Sequence, residues 1–270
     1  MNALVILIFA SSLLYTFQVF SIGSYGVTTL DVLLGILILV FIKKIVWDGE
    51  KLKAGLHLGL FFYFGLFIAA LLSGITPLQN GSMMMILQYF KSTIHFIFFG
   101  FFVFICAFYP FKEGLWTKVI KTFLIISIFI NLFGIYQIVA RAYDLPLAWL
   151  PITNISYVAK SDTDVSSINQ LSLQFGNFFR ATSIFSEPST LAIFTSMNLI
   201  FIIVPFVQNL KPFLKSKNLN IAVFITNIAG LFLTFSLTGY IILALVIIGI
   251  IVLERTKRII SFIYITIISI

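Results

Sequence analysis

The sequence predicts an all-α fold, a polytopic integral membrane helix bundle with about eight complete spans and a partial ninth. Two observations support this prediction: 60% of the 270 residues are hydrophobic, and only 10% are charged. A soluble domain is about one-quarter charged, and a soluble globule of this length cannot bury so much apolar surface. The composition excludes a soluble enzyme, a nucleic-acid-binding domain and a disordered chain. Helices are expected because backbone polar groups inside a bilayer must be satisfied within the protein.

Apolar stretches of about 20 residues, separated by charged residues, define the predicted spans. The first six are predicted at residues 3–22, 27–42, 55–75, 88–109, 119–140 and 189–207. No charge occurs between Lys217 and Glu254, so two more helices joined by a turn at residues 236–239 are predicted there. A ninth apolar segment begins at Ile259 and is too short to cross a bilayer by Ile270. From this pattern the chain is expected to be an N-terminal fragment of one transmembrane domain, residues 1–270.

The formal net charge of +8 is interpreted as a topology signal. The connections on one side of the predicted spans hold all but four of the 17 basic residues, the exceptions being Lys91, Arg141, Lys160 and Arg180. By the positive-inside rule that side and the N-terminus are cytoplasmic. Residues 141–188 are then a large outer loop, and its apolar flanks are expected to fold back over the helices. A solvated loop without a role is the alternative.

Metal and disulfide chemistry are not expected. The chain has one cysteine, Cys106, inside an apolar stretch, and its two histidines, His57 and His95, lie far apart in sequence. These residues give neither a disulfide framework nor a metal-ligand pattern. We therefore expect no cofactor and no metal site.

The end of the outer loop, residues 180–189, contains the most informative candidate residues. Arg180 lies close to the predicted membrane surface, where a guanidinium can bind a phosphate through two hydrogen bonds. Pairing with Glu187 or with a lipid phosphate is the alternative. Glu187 and Pro188 also fit a helix start, because Pro suits the first helical turn and a carboxylate is favourable at a helix N-terminus.

Two other groups of polar residues lie near predicted span ends. Lys91 and His95 are four residues apart and share a helix face, so they are candidates to line a cavity and bind an anionic head group. Snorkelling of Lys91 to the outer surface is the alternative. Asp31 is interpreted as an interfacial residue or a helix cap.

Three segments form a pattern in the second half of the chain: Arg-Ala-Thr-Ser-Ile-Phe-Ser-Glu-Pro-Ser at 180–189, Leu-Thr-Phe-Ser-Leu-Thr-Gly-Tyr at 233–240, and Phe-Gly-Ile-Tyr-Gln at 133–137. Together they resemble the O-antigen ligase and Wzy-type polysaccharide polymerase superfamily. Ser183 stands where that family often has Gly. Ser236 and Gly239 match its T-x-S-R-x-G hairpin, whereas Leu237 replaces the usual Arg. The resemblance covers predicted spans five to eight, about half of the chain.

The resemblance implies a metal-independent membrane glycosyltransferase that makes capsule, exopolysaccharide or another surface polysaccharide. It would polymerise, or ligate, glycan repeat units carried on undecaprenyl pyrophosphate at the outer face of the plasma (inner) membrane. Arg180, Arg141, Lys91 and Ser236 would bind substrate, and Glu187 would act as the catalytic base. Membrane lipids and other polysaccharide-assembly proteins are the further partners implied, and nucleic acid is not.

The chain also departs from the family. Family members usually have ten or more spans and a second large outer loop. In the ligases that loop carries a histidine, and neither His57 nor His95 matches it. The missing histidine favours a polymerase over a ligase. A transporter or flippase for lipid-linked sugars is an alternative, although the internal repeats and broken helices typical of transporters are not evident. A truncated, non-catalytic membrane protein is the other.

Overall fold

The computed structural model of the protein describes residues 1–22, 25–53, 58–81, 83–154, 170, 174–175 and 178–253. This part is mostly helical, as expected. The helices are α1 (Asn2–Ser11), α2 (Thr29–Val46), α3 (Leu58–Leu72), α4 (Ile75–Asn80), α5 (Met83–Phe108), α6 (Leu115–Ala142), α7 (Pro188–Val207), α8 (Lys217–Leu233) and α9 (Leu237–Leu253). Two short hairpins pair β1 (Gln18–Ile22) with β2 (Tyr25–Thr28), and β3 (Gln174–Phe175) with β4 (Phe178–Phe179).

The helices group into two compact units. The first unit contains residues 1–12 and 19–115, and the second contains residues 13–18 and the chain from Trp116 onward. In the first unit, α5 packs against α2, α3 and α4, and α1 packs against α2. In the second unit, α7 packs against both α8 and α9. The prediction of one transmembrane domain stays a prediction, since two compact units can belong to one domain.

Two helices in the described part of the chain are long and apolar enough to cross a membrane: α6 with 28 residues and α7 with 20. They coincide with the predicted spans 119–140 and 189–207. The expectation of eight complete spans is not met by helix length and composition among the described residues. Helices α3, α8 and α9 have only 15, 17 and 17 residues, fewer than the roughly 20 that a span needs. The predicted ninth segment lies outside the described residues.

The first predicted span, residues 3–22, is wrong as a single helix. Helix α1 ends at Ser11, a 3-10 turn covers Ser12–Leu14, and residues 18–22 form β1. Two serines help to end the helix: Ser11 Oγ donates to Ile8 O at 2.9 Å, and Ser12 Oγ donates to Phe9 O at 2.7 Å. Such local hydrogen bonds compete with continued helix.

The helix-cap interpretation of Asp31 is confirmed. Thr28 and Asp31 form a capping box at the start of α2, in which the Thr28 N–H donates to Asp31 Oδ2 at 2.8 Å. This arrangement satisfies backbone donors that have no partner within the helix. The predicted turn between the last two helices is also found, at residues 234–236, slightly before the expected position.

Helices α7 and α9 approach closely because Gly239 has no side chain. A methyl group on Gly239 would lie 2.5 Å from Ala192 Cβ and 2.8 Å from Leu231 Cδ1. Ser196 Oγ donates to the Gly239 carbonyl at 3.1 Å across the same contact. Small residues of this kind permit close helix packing in membranes.

Replacing Gly239 with alanine should destabilise the second unit by about 1–3 kcal/mol, because the methyl group overpacks a dense contact. The matched control is Gly249→Ala on the same helix, where a methyl group would meet nothing within 4 Å. That control should be neutral or stabilise the protein by up to about 1 kcal/mol through helix propensity. Thermal unfolding in detergent measures both variants, and equal melting temperatures would contradict this packing.

Candidate functional site

The three segments that carry the sequence resemblance meet at one place in the second unit. The Ala181 N–H donates to Leu233 O at 2.9 Å, and Arg180 Nε donates to Thr234 O at 2.7 Å. The same loop segment also contacts α6, where Thr182 Oγ1 donates to Gln137 Oε1 at 3.1 Å. We call residues 133–141, 180–187 and 233–240, where they meet, the motif cluster.

Arg141 is the buried centre of the motif cluster. It lies in the last turn of α6, is only 4% exposed, and its guanidinium lies over the Trp149 ring. Nε donates to Ala148 O at 2.9 Å, and Nη1 donates to Arg180 O at 2.6 Å. Nη2 donates to Thr182 Oγ1 at 2.6 Å. Every guanidinium nitrogen therefore donates to a protein oxygen.

The surroundings of Arg141 stabilise its charge without a carboxylate. No ion pair joins it to an acidic residue in the described part of the chain. A buried charge is costly unless it is hydrogen-bonded, and here carbonyl, amide and hydroxyl oxygens supply the bonds. The negative end of the α6 dipole is a further favourable contribution. These contacts favour a positioning role for Arg141, and its predicted role in substrate binding stays a prediction.

Gln170 is a second buried side chain that joins several segments by hydrogen bonds, and the sequence does not predict this role. Its Oε1 accepts from Gln137 Nε2 and Arg141 Nη2, each at 3.1 Å, and from the Leu150 N–H at 3.2 Å. Its Nε2 donates to Ser183 O at 2.5 Å and to Phe185 O at 2.7 Å. The side chain is 5% exposed. A single polar residue in a polar loop gives no local signal of such a role.

Ser183 adopts a left-handed backbone conformation, with φ of 54°. This conformation is sterically costly for residues other than Gly. The Ser183 hydroxyl donates to Ile130 O of α6 at 2.6 Å, and the residue is fully buried. The position at which the resembled family often has Gly is therefore one where the backbone favours Gly.

Arg180 is half-buried and lies against the turn between α8 and α9. In addition to its bond to Thr234, its charge lies within electrostatic range of the Tyr240 hydroxyl. Its own carbonyl oxygen is held by Arg141. Ser236 is buried nearby at the start of α9. Its predicted contact with substrate stays a prediction.

Glu187 is exposed and is the N-cap residue of α7, with Pro188 in the first turn. The predicted helix start is therefore confirmed. The Glu187 side chain makes no cap hydrogen bond to the helix, so capping does not occupy its carboxylate. Its predicted role as a base stays a prediction.

Lys91 lies in α5 of the first unit, and its side chain is outside the described residues. His95, one turn further along α5, has Nε2 3.6 Å from Asp31 Oδ1 of α2. The contact gives His95 a structural partner within the first unit. Lys160, in the centre of the predicted outer loop, also lies outside the described residues. In the part of the chain that the structure describes, no three His, Cys, Asp or Glu side chains form a group suited to a metal ion.

No protein-family model, curated protein or solved structure matches the chain.

The strain at Ser183 can be measured with two substitutions that both remove its hydrogen bond. Ser183→Gly relieves the left-handed strain, whereas Ser183→Ala retains it. We expect the glycine variant to be more stable than the alanine variant by about 1 kcal/mol, because the left-handed penalty of 1–2 kcal/mol exceeds the extra entropy of glycine in the unfolded chain. Thermal unfolding in detergent measures the order, and an alanine variant as stable as the glycine variant would contradict it.

Proposed function

We propose that the protein is a multi-pass plasma-membrane glycosyltransferase of the polysaccharide polymerase or ligase type. The observation that supports this proposal best is the meeting of the three resembling segments in the motif cluster. Each segment resembles the family through its residues alone, and hydrogen bonds of 2.7–3.1 Å join the segments. Three unrelated matches would have no reason to share one location.

The proposed membrane arrangement is based on the two helices that are long and apolar enough to cross a bilayer. Helices α6 and α7 would cross the bilayer, and some of the shorter apolar helices would add further spans. The distribution of basic residues supports this arrangement, because all but four of the 17 lie in connections on one side of the predicted spans. The motif cluster would then face the outside of the cell.

The proposed reaction joins an acceptor hydroxyl to a glycan carried on undecaprenyl pyrophosphate. The hydroxyl oxygen forms a bond to the anomeric carbon, and the bond from that carbon to the diphosphate oxygen breaks. The hydroxyl proton passes to a carboxylate, for which Glu187 is the exposed candidate, and the lipid diphosphate leaves with the electron pair. A fixed cation near the leaving diphosphate lowers the barrier by stabilising this charge.

In this proposal the two arginines have different roles. Arg180 binds the diphosphate, because it is only half-buried and its carbonyl and Nε atoms are fixed by neighbouring segments. Arg141 positions Arg180, since its Nη1 donates to the Arg180 carbonyl oxygen.

Arg180→Ala should shorten the surface glycan of cells that depend on this protein to single repeat units. Loss of one charge-stabilising donor typically costs about 10²–10³ in rate. Arg180→Lys should retain partial activity, because it keeps the charge but loses the two-pronged geometry. Gel analysis of glycan length measures the outcome, with protein abundance and melting temperature checked in parallel.

The matched control is Lys118→Ala, which removes an exposed cation near the start of α6. That variant should make glycan of normal length. Normal glycan from Arg180→Ala would refute the role of Arg180 in diphosphate binding. Accumulation of lipid-linked repeat units inside the cell, rather than outside, would favour the flippase alternative.

A further inference from the structure

A cavity lies in the second unit, away from the motif cluster, between the end of α7 and the start of α8. Its volume is about 660 Å³, within the usual range for ligand sites. Apolar side chains from both helices line it, including Ile202, Phe206, Ile221 and Phe224. Phe206 is 62% exposed and Ile221 is 46% exposed, so this apolar wall is uncovered.

The rim of the cavity is basic and contains no acidic residue. Lys215 and Lys217 line it and are both exposed. In the described part of the chain neither lysine has a carboxylate partner. Lys217 is the first residue of α8, where the helix dipole favours an anion over a cation. Two cations thus lie beside the positive end of a helix without a counterion.

The two lysines are not needed to satisfy the carbonyl oxygens at the end of α7. Helix C-termini are favourable sites for cations because their last carbonyl oxygens lack partners. Here the Gln208 and Leu210 N–H groups donate to Val204 O at 2.9 Å and to Pro205 O at 2.8 Å. Backbone donors therefore satisfy these carbonyl oxygens, and the lysines remain to bind an external anion.

We propose that this cavity binds one anionic phospholipid, with its acyl chain against the apolar wall and its phosphate at Lys215 and Lys217. The inference rests on the membrane placement of α7 and α8 in the proposed function. A soluble anion would use the lysines but leave the apolar wall exposed, whereas an anionic lipid complements both surfaces. Basic pockets between helices on the cytoplasmic side are typical sites for such head groups.

Native mass spectrometry of the purified full chain tests the inference directly. The chain is exchanged from detergent into an equimolar mixture of dioleoyl phosphatidylglycerol and dioleoyl phosphatidylcholine, and the retained lipid is counted. The wild-type chain should retain phosphatidylglycerol preferentially. Lys215→Gln with Lys217→Gln should lower that preference roughly fivefold per lysine, the factor that corresponds to about 1 kcal/mol for each lysine near an anionic head group.

Two matched variants separate the charged rim from the apolar wall. Lys112→Gln with Lys118→Gln removes two exposed lysines that do not line the cavity, and it should retain the wild-type preference. Ile221→Trp places a larger side chain in the cavity, which leaves less room for an acyl chain, and should lower retention of both lipids. Glycerol 3-phosphate at the same concentration should not displace the bound lipid.

Equal retention of the two lipids by the wild-type chain would overturn the inference. An equal effect of the two double-lysine variants, or displacement by glycerol 3-phosphate, would also overturn it. Arg180→Ala should retain lipid like the wild-type chain, so failure of the proposed catalytic role can be distinguished from failure of the lipid site. Release of the chain from membranes by alkaline carbonate would overturn the membrane placement and the lipid site together, whereas loss of lipid selectivity alone overturns only the site.

Discussion

The buried guanidinium of Arg141 is the constraint on which the motif cluster depends. An arginine that is 4% exposed keeps its charge only if its donors are satisfied. Oxygens from the loop after α6 and from residues 180–182 accept these hydrogen bonds. Gln170 supplies another oxygen and uses its own amide to hold the Ser183 and Phe185 carbonyls. The loop after α6, Gln170 and residues 180–185 are therefore fixed to α6 by one polar network.

This network determines the positions of the residues to which the proposed function assigns roles. Arg141 holds the carbonyl of Arg180, so the Arg180 side chain leaves the network toward the turn at Thr234. Ser183 then turns the chain through a left-handed conformation, and the segment reaches Glu187 and the start of α7. The proposed diphosphate ligand and the proposed base are thus presented from a rigid support, which catalytic positioning requires. The helices beneath supply this support through close contacts such as Gly239 with Ala192.

Local signals in the sequence predicted part of this arrangement. The apolar lengths of α6 and α7, the cap at Asp31 and the helix start at Glu187–Pro188 all depend on residues within a turn or two of each other. The role of Gln170 depends on partners from Gln137 to Phe185, and no local pattern reveals such pairings. The sequence predicts Arg141 only as a cation on the outer side, because its burial depends on contacts from Ala148 to Thr182. The first span was overpredicted because apolar composition does not distinguish α1 from the strand that follows.

Amide hydrogen exchange of Gln170→Ala tests the central claim most directly. The substitution removes five hydrogen bonds, and Gln208→Ala, at an exposed glutamine, is the control. If one network holds these segments on α6, the amides of Leu150, Ala181 and Phe185 should all exchange at least about tenfold faster, a loss of roughly 1.4 kcal/mol of local stability. The Ala181 amide is decisive because it bonds to Leu233 O and not to Gln170. Wild-type protection of Ala181 in Gln170→Ala would contradict the account.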